Sequence, residues 1–191
     1  MRTGLLLLPL LLAPTPRAAP QKDLLKVSNL PDFVAQYQHR LVSIGTACGE
    51  LGTEKLPLRD RAGKDLGKEP AEHCRASVDD ARQSARQLAS LPRDMVWALT
   101  LYIQTEDLAD DLYDLEQMAY DSGFEDTGRR LGELLEPLES DRDRLENYLL
   151  NLISERQEYL RQLEARNRDL AKEVLRLSKH APGKPGHEGV K

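Results

Sequence analysis

An apolar seam that recurs at steps of three and four constrains this chain more than anything else in it. The seam reads Leu131, Leu135, Leu138, Arg142, Leu145, Leu149, takes two successive steps of four, and resumes as Ile153, Arg156, Leu160, Leu163, Asn167, Leu170, Val174, Leu177. Such spacing lays one stripe along a helix, and the change of phase is a coiled-coil stutter. It predicts a helix from Asp126 or Thr127 to Ser178, kinked at Pro137. At 1.5 Å per residue that helix would span about 80 Å. A seam of this length needs a partner. Asn167 either fixes register against that partner or sits at the edge of a slightly rotated helix.

Three further helices are legible upstream. The first runs from 31 to 48, with Asn29 as cap, Pro31 at a position lacking a donor, and Phe33, Tyr37, Leu41, Ile44 and Cys48 on one face. The second runs from 71 to 90 on a seam of Cys74, Val78, Ala81, Ala85 and Leu88, small enough for close approach by another helix. The third starts near Pro92 and ends at 121 or 122 before Gly123. It carries two stripes: Leu101, Leu108, Leu112, Leu115 and Ala119, and beside them Met95, Leu99, Tyr102, Ala109 and Tyr113. Two stripes predict a helix covered on two sides. Aromatics make up 5% and charged residues 31%, a balance that suits long helices rather than a sheet domain.

Length suggests how these pieces combine. The second and third helices together reach roughly 78 Å and so match the fourth. The expected fold is therefore all-α: an elongated antiparallel helical hairpin or coiled coil with an extra N-terminal helix, three- or four-helix bundle-like. In this arrangement the arm of 71 to 122 is kinked at Pro92, Pro92 lies opposite about Arg156, and the first helix packs at the open end. Dimerisation through the overhanging half of the fourth helix is the alternative. Residues 49–69 form a long loop with a small hairpin around Ala62 and Gly63. The helical domain spans 31–179 after a linker at 20–30, and 180–191 is a disordered tail.

The first nineteen residues read as an export signal, with Arg2 ahead of an apolar stretch from Leu5 to Leu12. That stretch is too short to cross a bilayer, which needs about twenty residues. The cleavage site is irregular, and the alternative is a Pro- and Leu-rich arm on a cytosolic protein. Export implies an oxidising compartment, where Cys48 and Cys74 pair. Two inert buried thiols are the other possibility.

Residues 110–114, "DDLYD", hold Asp110, Asp111 and Asp114 at a spacing that can bind magnesium for a diphosphate substrate. They belong to a wider acidic region: from 104 to 146 there are fifteen acids against four arginines. In the hairpin these gather at the turn end. A chain with so narrow a cross-section offers little room for a ligand pocket of several hundred Å³, and the leucine stripe passes between the acids. The run therefore reads as solvated surface, with a metal-dependent protein or enzyme as the alternative.

No catalytic motif of the common hydrolase, zinc or dinucleotide types is present. A phosphate loop at 63–68 fails on spacing, and His39, His73, His180 and His187 are scattered. Trp97 reads as a core or interface anchor. A formal charge of -5 does not suggest nucleic acid. The expected class is a non-enzymatic exported interaction or scaffold protein of the cell envelope, monomeric or homodimeric. It would have a protein partner, no cofactor and no spanning segment after signal removal. A chaperone for exported proteins is one concrete version.

Overall fold

A computed structural model describes residues 24–180. The export signal and nearly all of the expected tail lie outside these residues; His180 closes the last helix. Four helices are present among them: α1 (Leu30–Glu50), α2 (Glu69–Ser90), α3 (Met95–Asp121) and α4 (Glu125–His180). Each neighbours the next, and α1 returns to α4, which closes an up-down-up-down bundle. The bundle is all-α, as the periodicity requires.

The joint at Pro92 corrects the expected arrangement. α2 and α3 are not one kinked arm: the chain reverses over 91–94 and α3 packs back along α2. Asp94 caps α3, accepting from the backbone N–H groups of Val96 and Trp97. Ser90 donates to the Gln87 carbonyl and closes α2. A capping carboxylate satisfies two orphan donors of α3 at once, so the helix starts after Pro92. Small residues on α2 make the close α2–α3 contact possible: Ala71, Cys74, Ala81, Ser84 and Ala85 are all buried.

The reversal relocates α1 as well. Its C-terminus meets the N-terminus of α2 at the end where α3 turns into α4, not at the open end. Cys48 and Cys74 lie there at disulfide distance, with Cα atoms 6.2 Å apart. Loop 51–68 covers the same end. Arg59 and Asp65 form an isolated antiparallel bridge, and the Asp60 carboxylate accepts from the N–H groups of Ala62 and Lys64. The expected small hairpin is thus built on an aspartate turn, with Gly63 at φ +80°. The backbone N–H of Arg59 donates to the Ser122 hydroxyl and fastens the loop to the α3–α4 turn.

Residues 24–29, read as linker, are tied to the bundle. Leu25 is fully buried. Asn29 stands at the N-cap of α1 as expected, but its side chain makes no capping bond to the helix and instead accepts from the Lys26 N–H and donates to the Leu24 carbonyl. The second stripe of α3 is not covered throughout either. Ala109 is buried and Tyr102 is half-buried, but Met95, Leu99 and Tyr113 face solvent; Trp97, beside the stripe, is half-buried.

α3 and α4 do form the expected antiparallel hairpin about Phe124, with Arg93 reaching Glu155 at 3.2 Å. α4 has 56 residues against 27 in α3, about 84 Å against about 40 Å. Pro137 lies inside α4 on an exposed position, and the helix continues through it. Its buried line is Leu131, Leu138, Asp141, Leu145, Tyr148 and Leu152. This is the expected seam in its first part, but at Asp141 and Tyr148 it runs one residue ahead of Arg142 and Leu149, which are half-buried.

Candidate functional site

Two regions could carry function: the acidic run on α3 and the part of α4 that outruns the bundle. The acidic run comes apart on the helix. Asp110 and Asp114 are exposed, while Asp111 turns toward α2, where it accepts from the Ser77 hydroxyl at 2.7 Å and lies 3.5 Å from the His73 imidazole. One carboxylate is thus engaged by a neighbouring helix and two face water. Among the described residues no group of three or more His, Cys, Asp or Glu side chains is placed to hold a metal ion.

The wider acidic region flanks the α3–α4 turn but does not form a single patch. Glu133 lies beside Ser43 and Arg130, on the α1 side of the bundle, whereas Asp111 faces α2. Several acids at the turn end have partners: Glu50 with Arg130 at 2.8 Å, Asp121 with Arg61 at 3.5 Å, and Asp126 with Arg129. Pairs this exposed contribute little to stability.

Asp141, counted among these acids from the sequence, points inward. It is 2% exposed and accepts two hydrogen bonds from Arg40 of α1, each 2.6 Å long. Arg144 stands 3.8 Å from the same carboxylate and lies over the Phe33 ring. Burial raises the Asp141 carboxyl above its usual range, and the Arg40 guanidinium opposes that rise. Close by, the buried Tyr37 hydroxyl meets the Thr105 hydroxyl at 2.7 Å, across from α1 to α3. Burial, the largest influence on Tyr37, holds its phenol far above the usual range. This polar layer joins three helices; Asp141, Tyr37 and Thr105 are buried, while Arg40 and Arg144 keep an edge in solvent. It fixes how α1 docks.

The overhang of α4 has the opposite character. Leu152 is the last buried residue of the helix, and every residue from Ile153 to Lys179 is exposed. Five turns of helix take about 18 residues, so Leu163 and Leu170 repeat the rotational positions of Leu145 and Leu152. The apolar seam of Ile153, Leu160, Leu163, Leu170, Val174 and Leu177 therefore keeps to the bundle side of the helix axis and runs on beyond the end of the bundle. The stutter foreseen at 149–153 holds it there, since an unbroken heptad drifts about 20° per repeat on a straight helix. The flanks hold themselves by local pairs, Arg161 with Glu158, Lys172 with Asp169 and Arg176 with Glu173.

At the root of this arm lies a groove of about 520 Å³, between Met95 and Val96 of α3 and Leu152, Arg156 and Tyr159 of α4. It is an open surface feature. Among the described residues no helix is long and apolar enough to cross a membrane. The chain matches no known family model, no curated protein and no solved structure.

Proposed function

We propose that the protein is a non-enzymatic, exported helical interaction protein or scaffold of the cell envelope. The four-helix bundle serves as a head, and residues 153–180 serve as an arm that engages another polypeptide. The exposed seam of the arm carries this reading. Six large apolar side chains stand in line on a stretch of helix that, among the described residues, meets the bundle only at its root, through Arg93 and Glu155, and a helix of this kind is stabilised chiefly by packing of its apolar face. The export reading draws support from the cysteines, since a pair at bonding distance is expected to persist as a disulfide in an oxidising compartment. A chaperone-like version, in which the arm cradles an exported client, draws on the same seam.

Site-specific photocrosslinking tests this role. A photoreactive residue at Leu170 should give adducts with a polypeptide in the protein's own compartment, whereas the same residue at the exposed Arg86 of α2 should not. Equal or absent adducts at both positions would remove the arm as the site of interaction.

A further inference from the structure

The arm's seam has a second regularity that identifies its occupant. From Ile153 the steps alternate three and four without interruption, so a heptad can be assigned. Ile153, Leu160, Asn167 and Val174 fall at a, and Arg156, Leu163, Leu170 and Leu177 at d. Ile153 and Val174 at a, leucine at three of the four d positions and one asparagine at a follow the pattern that selects two strands, with Leu160 at a and Arg156 at d as departures. We infer that the arm pairs with the arm of a second copy of this chain, in parallel and in register, as a two-stranded coiled coil. This rests on the reading of the arm as the site of interaction and supplies its partner.

Asn167 decides the orientation. Parallel pairing sets a against a, so the two Asn167 amides meet and hydrogen-bond across the seam. Antiparallel pairing sets a against d, so each Asn167 would face leucine or arginine and lose its partner on burial. The flanks agree with the parallel arrangement. There each g residue faces the e residue five positions on in the partner: Tyr159 meets Glu164, Arg166 meets Ala171 and Glu173 meets Ser178. None of these sets like charges together. Arg156, the one charged d residue, lies over the ring of its own Tyr159 with its guanidinium carbon 5.9 Å from the centroid, at the root of the arm.

The area is adequate. From Ile153 to Leu177 the seam is about 36 Å long, and a third of the accessible circumference of a helix is on the order of 15 Å wide. Pairing would bury about 500 Å² per copy and about 1,000 Å² in total, the threshold of a specific interface. A Kd on the order of micromolar is expected from an interface of this size.

Sedimentation equilibrium of the full chain and of single-cysteine variants tests the pairing. The chain should be a concentration-dependent dimer, and Leu163→Glu with Leu170→Glu should weaken it at least 100-fold without unfolding the bundle. Leu163→Cys and Leu177→Cys should each give a disulfide-linked dimer on oxidation. These positions are about 21 Å apart along the helix, so an antiparallel pair could link like residues at one of them only. Linkage at one position, or a dimer indifferent to the glutamates, would overturn the inference. So would a monomer at 100 µM, and in that case Leu170 photoadducts with another polypeptide would leave the interaction reading standing. Absence of both dimer and adducts would remove the two together.

Discussion

Breaking the Arg40–Asp141 pair from its two sides should cost unequal amounts. Asp141 is 2% exposed and Arg40 is 26% exposed. Arg40→Met removes both donors and leaves a buried carboxylate with only Arg144, 3.8 Å away, to oppose its charge. Breaking a buried pair in this way costs about 3–5 kcal/mol, and relief by protonation places the expected loss near 3 kcal/mol. Asp141→Asn keeps one acceptor, and the freed guanidinium can reach water, so about 1–2 kcal/mol is expected. Arg40→Met with Asp141→Leu removes the charges together and should cost less than Arg40→Met alone. The pH dependence has a definite sign. A carboxyl raised in the folded state contributes stability that is fully present below its unfolded pKa and is lost as pH rises through its folded value. Without Arg40 the rise is larger, so the deficit of Arg40→Met should shrink as pH falls from 7 toward 5. Urea unfolding at pH 7 and pH 5 on the three variants measures all of this. Equal costs for the two single variants, a double variant equal to their sum, or a deficit that grows with acid would refute the reasoning.

Two further outcomes are expected. Replacing Cys48 and Cys74 by alanine opens a loop of sequence separation 26, which in the chain-entropy treatment corresponds to about 3.5 kcal/mol; urea titration should show that loss, and limited proteolysis should show earlier cleavage within 51–68. Gly52→Ala should cost about 3 kcal/mol, because φ is +65° and a Cβ would sit 2.7 Å from the Gly67 carbonyl oxygen, whereas Gly63→Ala, with open space around it, should cost about 1 kcal/mol. Thermal melts that place the two glycine variants within about 1 °C of each other would contradict this, since 1 kcal/mol shifts Tm by about 2–4 °C at this size.

The elements were legible in the sequence because their signals are local. Periodicity located every helix, and Ala62 and Gly63 marked the hairpin in the loop. Cys48 and Cys74 came from the helical faces they share. The reversal at 91–94 was not legible, since Pro92 is equally compatible with a kink and with a turn. Matching lengths favoured the kink on the assumption that all of α4 must be covered within the chain. Among the described residues, half of that helix is instead bare. Asp141 was missed for a related reason: it lies three residues after Leu138 and four before Leu145, so it keeps the period, but its charge placed it with the solvated acids. Its partner Arg40 is 101 positions away, and nothing near either residue announces the pair. The acidic run was legible as composition only. Which of its carboxylates meets α2 depends on packing.

The placement of the cross-link has a mechanical consequence. Cys48–Cys74 ties α1 to α2, while α4 is held by packing and a few polar contacts. Tension applied through the arm would enter the bundle at Leu152, where Tyr148 donates to the Pro92 carbonyl and Glu155 meets Arg93. These contacts would bear load one after another, so α4 would peel from its root toward the turn at Phe124. The bond between α1 and α2 lies off that path and would still join those two helices once α4 had come away. The head would thus behave as a clasp that releases its longest helix progressively and keeps the rest linked.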